Sequence, residues 1–400
     1  MSASDSALEA VNAKLAGLAS AGLSRRRLSL ESGQGTRVLL DGRSFLSFCS
    51  NDYLGLAADA RIAQALIEAV HRYGVGSGGS HLVTGHSAAH DALEDALASF
   101  TGLPRALFFG SGYLANIGVL GALAGRDDAI VSDELIHASL IDGIRLTRAR
   151  VTRAAHCDVQ AFREALVQAG DAHARFVVTE GVFSMDGDTP DLPALLDLCE
   201  RYDAWLIVDD AHGFGVLGRS GGGVLQHFGL RSPRIVYVGT LGKAAGVCGA
   251  FVAGAANVVE LILQRARSYI YTTASPAFLA CALQRSLEIV GEEGWRRDQL
   301  VRLTKMLKTG LERLPAELGR SESPIQPLIL GENARAVGAS DALRQRGLIV
   351  SAIRPPTVPE GRARLRISLS AAHVEEDVRV LLDALRAALD GTPAWQPVSS

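Results

Sequence analysis

The sequence predicts an α/β fold: a large, mostly parallel sheet covered by helices on both faces, followed by a smaller α+β domain. From about residue 61 to residue 280, helical stretches alternate with short apolar runs, the pattern of a parallel sheet with crossover helices. After about residue 292 this alternation gives way to a long helical segment and then to strand-like runs. The length of 400 residues also exceeds what one hydrophobic core usually covers.

The first 50 residues are expected to form an amphipathic helix, a basic connector and a hairpin. Apolar residues repeat at helical spacing at Leu8, Val11, Leu15 and Leu18. The basic run Arg25–Arg27 follows this helix. Asp41-Gly42 separates the apolar runs Val38–Leu40 and Phe45–Phe48 and suits a tight turn, because glycine accepts a positive φ.

Short apolar runs define the strands of the predicted large sheet. They are Ala106–Phe109, Ala129–Ser132, Phe176–Glu180, Trp205–Asp209, Ile235–Gly239 and Gly249–Ala253. The C-terminal part predicts a helix from about Glu292 to Leu314, a helix near Ala336–Gln345, and strands at Ile325–Leu330, Leu348–Ala352 and Ala363–Leu369. The chain is therefore expected to divide into an N-terminal segment 1–50, a large domain 51–290 and a small domain 291–400.

Composition excludes several classes of protein. Lys+Arg number 40 against 43 Asp+Glu, and a formal charge of −3 gives no attraction to nucleic acid or to an anionic membrane. The most apolar run, Cys248–Leu263, is too short to cross a bilayer and is interrupted by Glu260. The N-terminus lacks the pattern of a secretory signal, and the five cysteines lack metal-binding spacing. We therefore expect a cytoplasmic protein with reduced thiols and no metal site.

A lysine follows one of the predicted strands at its carboxyl end, where ligands bind in open α/β sheets. Lys243 ends the run G-T-L-G-K after the strand at Ile235. The other lysines are Lys14, Lys305 and Lys308, which lie on helical patterns. A surface charge is the simpler interpretation of a lysine in a loop. An amine can form a Schiff base and a guanidinium cannot, so the use of lysine here favours covalent chemistry.

The other strand ends supply the groups that pyridoxal phosphate (PLP) chemistry needs. Asp209 can pair with the ring nitrogen and keep it protonated. His212 and Ser184 can hydrogen-bond the phenolic oxygen. The phosphate needs hydroxyl groups and N–H donors at a helix start, which are available at Ser111, Gly112, Tyr113 and Thr240. Each residue alone has an ordinary structural explanation, but their shared position at the strand ends of one sheet favours a PLP enzyme.

Five runs of residues extend this interpretation to most of the chain. They are Ser50–Gly55 (S-N-D-Y-L-G), Gly76–Ser80 (G-S-G-G-S), Glu180–Gly187 (E-G-V-F-S-M-D-G), D-D-A-H-G from Asp209, and G-T-L-G-K ending at Lys243. With these runs the chain resembles the α-oxoamine synthases, which are PLP-dependent transferases of fold type I. The resemblance runs from about residue 5 to residue 390, in one order and with matching spacing.

The resemblance implies a role for each site residue. Eight residues are implied at the cofactor: Lys243 as the Schiff-base lysine, Asp209 at the ring nitrogen, His137 stacked on the ring, His212 and Ser184 at the ring oxygen, and Thr240, Gly112 and Tyr113 at the phosphate. Four are implied at the substrates: Arg366 at the amino-acid carboxylate, Arg25 and Thr357 at the acyl group, and His137 at the thioester carbonyl. The implied catalytic residues are Lys243, His137 and Asp209.

Two segments are most similar to the biotin-pathway members of this family: D-D-A-H-G-F-G-V-L-G from Asp209 and A-I-R-P-P-T-V-P over Ala352–Pro359. This similarity implies condensation of L-alanine with a pimeloyl thioester of coenzyme A or acyl carrier protein, with release of CO2 and free thiol. The alternative is a sister enzyme that uses glycine or serine with another acyl thioester.

Two other classes of protein are less favoured. A non-catalytic scaffold subunit has no need of Lys243, Asp209 and His137 together. A nucleotide-binding dehydrogenase needs a G-x-G-x-x-G turn in the first βα unit, and the sequence has none there.

The resemblance also implies a homodimer with shared active sites. Gly76–Ser80 and Tyr271–Thr273 resemble segments that reach the cofactor of a neighbouring subunit in this fold, which implies an isologous interface. We expect light scattering of the active protein to give twice the 42.2 kDa of one chain. A fully active monomer would contradict this expectation.

Overall fold

The computed structural model of the chain describes residues 3–20, 23–24 and 27–389. Three sheets lie among helices, and the largest sheet has seven strands, which confirms the predicted α/β class. Within the described ranges, none of the helices combines the length and the apolar character that spanning a membrane requires. All five cysteines are free thiols, as predicted.

The described part of the chain contains fourteen strands. They are β1 Arg37–Leu40, β2 Arg43–Ser47, β3 Arg105–Phe109, β4 Ala129–Asp133, β5 Arg150–Ala154, β6 Arg175–Glu180, β7 Ala204–Asp209, β8 Ile235–Thr240, β9 Ala250–Gly254, β10 Glu317–Leu318, β11 Ile325–Gly331, β12 Leu348–Ile349, β13 Ser351–Ile353 and β14 Ala363–Ser368.

The same part of the chain contains fourteen α-helices and a π-helical turn at His81–Gly85. The helices are α1 Ala3–Ser20, α2 Ala60–Tyr73, α3 Ala88–Thr101, α4 Gly112–Leu123, α5 Ala138–Thr147, α6 Val159–Gln168, α7 Leu192–Arg201, α8 Gly223–Phe228, α9 Ala256–Arg265, α10 Arg267–Ile270, α11 Ala277–Glu292, α12 Trp295–Leu311, α13 Asn333–Gln345 and α14 Glu375–Leu389.

The seven-stranded sheet has the order β3-β9-β8-β7-β6-β4-β5. Strands β8, β7, β6, β4 and β5 pair in parallel, whereas β9 is antiparallel to both of its neighbours. The prediction of a mostly parallel sheet is therefore confirmed. The sequence reading missed β5, because this edge strand has four exposed residues out of five and therefore no apolar run.

The N-terminal hairpin forms as predicted, and a later strand extends it. Asp41 and Gly42 both have positive φ, 51° and 69°, and connect β1 to β2. The prediction of one strand over Leu348–Ala352 is wrong. Its first part, β12, pairs in parallel with β2, and its second part, β13, pairs with β14 in the four-stranded C-terminal sheet. The chain changes sheets at the buried Val350, so a single apolar run serves two sheets.

The N-terminal helix and the apolar core differ in burial. Helix α1 exists as predicted, but its apolar residues Leu8, Val11, Leu15 and Leu18 are exposed.

One continuous core joins residues from Leu46 to Leu389 and includes side chains from the large sheet and from the C-terminal sheet. The division of the chain at residues 50 and 290 stays a prediction. The helix expected to reach Leu314 ends at Leu311.

The register of the central strands aligns the ends that carry polar side chains. Glu180, the last residue of β6, is paired with Asp209, the last residue of β7. Asp209 is in turn paired with Val238 of β8, two residues before Thr240. Every residue of β6 from Phe176 onward is buried, as is usual for a central parallel strand. The C-terminal residues of these strands therefore lie together at one end of the sheet.

A buried hydrogen bond between β7 and β8 fixes the loop that follows Asp209. The hydroxyl of Tyr237 donates to Asp210 Oδ2 at 2.7 Å, and both residues are fully buried. We expect Tyr237→Phe to lower the free energy of unfolding by about 1–3 kcal/mol, because a buried carboxylate loses a partner. Urea unfolding measures this loss.

The matched control for this prediction is Tyr202→Phe. The Tyr202 hydroxyl makes no hydrogen bond to the described residues, so its removal should change the unfolding free energy by less than about 0.5 kcal/mol. Equal stability of the Tyr237→Phe variant and the wild type would show that the bond does not fix the loop.

Candidate active site

A cavity of about 510 Å³ opens at the carboxyl ends of the central strands. Strands β6, β7 and β8 and the first turns of α4 and α5 contribute to its wall. Seven of the predicted site residues line it: Gly112, Tyr113, His137, Asp209, His212, Thr240 and Lys243. The structure thus brings together residues that are up to 131 positions apart in the sequence, from Gly112 to Lys243.

The Lys243 amine is held by a chain of buried side chains. Its Nζ lies 3.0 Å from His212 Nε2, and His212 Nδ1 lies 2.6 Å from the hydroxyl oxygen of Tyr53. Tyr53 donates its own proton to Asn51 Oδ1 at 3.2 Å. His212 Nδ1 must then donate to Tyr53, which leaves His212 Nε2 as an acceptor for the amine. This arrangement fixes both the tautomer of His212 and the position of Nζ.

Burial lowers the pKa of both Lys243 and His212 and so favours their neutral forms. Loss of solvent lowers the pKa of Lys243, and the nearby carboxylates Asp209 and Glu180 oppose this shift only in part. Burial also holds the pKa of His212 well below its usual range, and the Lys243 charge adds to this effect. A neutral imidazole therefore faces an amine whose proton is easier to remove than that of an exposed lysine.

Asp209 is oriented by donors on two sides. Its Oδ2 accepts from Asn116 Nδ2 at 2.6 Å, and its Oδ1 accepts from the backbone N–H of Ala211 at 3.0 Å. Asn116 Nδ2 also donates to Ser139 Oγ at 2.9 Å, and Ser139 Oγ lies 2.7 Å from His137 Nδ1. A continuous network therefore connects the buried carboxylate with the imidazole that caps helix α5.

Glu180 places a second carboxyl group beside Asp209. Its Oε2 accepts from the backbone N–H of Ser184 at 3.2 Å, and its Oε1 is buried without a hydrogen-bond partner. Burial raises the pKa of Glu180 well above its usual range, and the charge of Asp209 adds to the shift. Burial and the neighbouring Asp209 therefore both favour the protonated form of Glu180.

The start of helix α4 forms a cradle for an anion. Ser111 caps the helix and accepts from the N–H of Leu114 at 3.3 Å, and the first N–H groups of a helix have no partner within it. A Cβ at Gly112 would lie 2.8 Å from Thr240 Cγ2, so only glycine leaves this space open. The Tyr113 hydroxyl points away from the cradle and donates to the Asp142 carboxylate.

Two predicted residues, Arg366 and Ser184, are joined by a hydrogen bond next to Asn51. Arg366 Nε donates to the backbone carbonyl of Ser184 at 2.7 Å, and Arg366 Nη1 donates to Asn51 Oδ1 at 3.2 Å. Of these three residues only Asn51 lines the cavity. The roles implied for Arg366 at the substrate carboxylate and for Ser184 at the ring oxygen therefore stay predictions; in this structure Arg366 makes its hydrogen bonds with the protein itself.

The two residues expected at the acyl group are Arg25 and Thr357. Arg25 lies outside the described residues. Thr357 lines a separate groove of about 680 Å³ between the end of α1, at Leu15 and Leu18, and the segment from Ala352 to Thr357. The exposed apolar side chains of α1 thus form one wall of this groove.

Sequence reasoning missed Asn116, Ser139 and Tyr53 as site residues. Asn116 had a signal: it is the only amide or charged side chain in the apolar helix α4. Ser139 and Tyr53 had none, because their importance comes from hydrogen bonds to His137 and His212, which only the folded chain reveals.

The residues present fit PLP. Lys243 supplies a half-buried amine, Asp209 supplies a buried carboxylate, and the α4 start with Thr240 supplies phosphate donors. Asn116 Oδ1 and Glu180 Oε1 are buried polar atoms without partners in the cavity wall. Because such atoms are costly in a folded protein, they indicate a site built around a polar ligand.

Comparison with known proteins agrees with this geometry. A model of the family "Aminotransferase class I and II" matches residues 43–385. A protein of Nitrosospira multiformis named 8-amino-7-oxononanoate synthase is 57% identical over 364 residues, which cover 91% of this chain and 92% of the relative. The chain belongs to the 8-amino-7-oxononanoate synthase family of class I and II aminotransferases.

Solved structures give the same result for this family member. A structure of serine palmitoyltransferase with a PLP internal aldimine has a TM-score of 0.90 and 29% identity, and the match covers 96% of this chain and 97% of that one. The 8-amino-7-oxononanoate synthase of Francisella tularensis has a TM-score of 0.76 and 31% identity, with coverage of 86% and 97%. Fold type I and the family resemblance are both confirmed.

The assignment of the cradle at the start of α4 to the phosphate of PLP can be tested by cofactor binding. We expect Gly112→Ala to weaken PLP binding about tenfold, because the new methyl group meets Thr240 where the phosphate donors converge. Equilibrium dialysis of the protein against PLP measures the change.

Gly121→Ala is the matched control on the same helix. No atom lies within 4 Å of a Cβ at Gly121, so this variant should bind PLP as the wild type does. Equal affinities of the Gly112→Ala and Gly121→Ala variants would contradict the assignment of the cradle to phosphate.

Proposed function

We propose that this chain is a PLP-dependent 8-amino-7-oxononanoate synthase. The reaction condenses L-alanine with a pimeloyl thioester and releases CO2 and the free thiol, a step of biotin biosynthesis. The observation that carries the proposal is the half-buried Lys243 amine, in one cavity with the Asp209 carboxylate and a helix start open to phosphate. The 57% identical relative bears this name over nearly its whole length.

Lys243 is proposed to attach the cofactor and to move the substrate proton. When bound, PLP supplies an electron sink for negative charge at the α-carbon of the amino acid. The lowered pKa of Lys243 favours a neutral amine, which is able both to bind a carbonyl carbon and to accept a proton. His212 accepts a hydrogen bond from Nζ and holds it in place between these steps.

Asp209 and its network are proposed to hold charge and orientation. Asn116 and the Ala211 N–H both donate to the carboxylate and so fix its orientation. An ionised carboxylate at the ring nitrogen keeps that nitrogen protonated. His137 receives hydrogen bonds on Nδ1 from Ser139, so its ring has a fixed orientation at the mouth of the cavity and is placed to stack on the cofactor and polarise the thioester carbonyl.

Arg366 and Thr357 are proposed to bind the two substrates. Arg366 lies next to Asn51, which does line the cavity, so a small rotation of its guanidinium would present two donors to a carboxylate. The groove at Thr357 is lined by Leu15 and Leu18 and suits the methylene chain of a pimeloyl group. Arg25 is proposed to contact the same acyl group.

A homodimer is proposed as the active form. Coenzyme A or acyl carrier protein is proposed as the carrier of the pimeloyl thioester. The backbone N–H of Ala274 donates to the carbonyl of Gly79 at 3.0 Å, so the two predicted contact segments lie together. Val75, Val83 and Tyr271 beside them are more than two-thirds exposed in one chain. Apolar side chains exposed in this way are typical of an interface.

The proposed role of Lys243 predicts the behaviour of Lys243→Ala. We expect this variant to lose the visible absorption band of bound PLP and all thiol release from a pimeloyl thioester. Lys305→Ala is the control, because its lysine lies on the exposed side of helix α12, and it should keep both signals. Turnover by the Lys243→Ala variant would contradict the assignment.

A substrate comparison distinguishes this function from that of a sister enzyme. L-alanine, glycine and L-serine are titrated separately into the PLP-loaded protein, and thiol release is then measured with pimeloyl thioester. We expect alanine to change the visible spectrum at the lowest concentration and to support thiol release. A stronger response to glycine or serine would assign the chain to a sister activity of the same family.

A further inference from the structure

A cluster of charged side chains lies beside the cavity, at the carboxyl ends of three adjacent strands. Asp133 is the last residue of β4, His156 follows β5 by two residues, and Asp188 lies in the loop after β6. These strands are neighbours in the order β6, β4, β5. The cluster therefore joins the exposed edge of the sheet to the strand that carries Glu180.

His156 is bound by one carboxylate at each ring nitrogen. Nδ1 lies 3.0 Å from Asp133 Oδ1, and Nε2 lies 3.0 Å from Asp188 Oδ2. Ionised carboxylates only accept hydrogen bonds, so both nitrogens donate and the ring is an imidazolium. Although burial alone lowers the pKa of His156, the hydrogen bonds to Asp133 and Asp188 raise it to about 12. The geometry and the raised pKa therefore both favour the charged form of His156.

Asp133 and Asp188 each lie in a segment that also carries a proposed cofactor contact. These contacts are His137 and Ser184, respectively. Asp133 lies four residues before His137, and its Oδ1 also accepts from the backbone N–H of Leu135 at 2.8 Å. Phe183, which directly precedes Ser184, packs edge-on against the imidazole with ring centroids 4.4 Å apart. The imidazolium therefore contacts both segments at once, although His156 itself does not line the cavity.

We propose that His156 is a positioning residue of the PLP site: by donating to Asp133 and Asp188 it fixes the segment that carries His137 and the segment that carries Ser184. The inference rests on the proposed function, which places His137 and Ser184 at the cofactor ring. Without the bridge, two buried or half-buried carboxylates lose their shared counter-charge and the two segments separate.

The test uses His156→Gln in the PLP-loaded protein, with two readouts other than turnover. One is the PLP dissociation constant from dialysis. The other is the visible circular dichroism per molecule of bound PLP, which reports how the ring is held. We expect about tenfold weaker PLP binding and a clear loss of circular dichroism amplitude.

His173→Gln is the matched control. His173 also pairs with one aspartate, Asp128 at 3.3 Å, but it is exposed and lies before β6, at the opposite end of the sheet from the cavity. This variant should match the wild type in both readouts. If His156→Gln lowers only the melting temperature and leaves both readouts unchanged, the bridge stabilises the fold alone and the inference is wrong. If the wild type itself shows no PLP band, the proposed function fails instead.

Asp188→Asn tests the same inference without a change in side-chain shape. The imidazolium then keeps one carboxylate, Asp133, and the pKa of His156 falls. The other titratable groups next to it are Cys157, whose pKa burial raises, and Glu134, which accepts from the backbone N–H of His156. We expect PLP binding to this variant to weaken from pH 7 to pH 9 relative to the wild type. A constant ratio over this range would contradict the inference.

Discussion

Partial burial of a single amine, that of Lys243, is the constraint on which the rest of this site depends. Lys243 lies beyond the end of a central strand, next to His212 and near two carboxyl groups. An ammonium ion is costly at such a position unless it is paired, and a neutral amine is not. The site therefore favours the neutral amine, the state suited to a carbonyl partner.

The parallel sheet makes this burial possible. Strands β6, β7 and β8 pair in register, so Glu180, Asp209 and the loop after Thr240 reach one edge at the same height. Several polar side chains at that edge hydrogen-bond one another: Asn116 donates to Asp209, and His212 pairs with Tyr53. These buried polar networks are costly when one member is missing, so they specify a unique arrangement.

Much of the fold and the centre of the site follow from the sequence. The βα alternation, the hairpin at Asp41-Gly42 and the residues at the strand ends are local patterns, and the structure has them. The missed edge strand β5 has no apolar run, and the run near Val350 divides between two sheets. Arg366 donates to Asn51 and to the Ser184 carbonyl, and these contacts depend on packing between distant segments, which no local pattern encodes.

The most direct test of this account identifies the lysine that carries the cofactor. Reduction of the PLP-loaded protein with borohydride fixes PLP to the amine that holds it, and peptide mass spectrometry then locates the modified residue among the four lysines of the chain. The account predicts one modification per chain, on Lys243. A modification on Lys14, Lys305 or Lys308, or none at all, would contradict it.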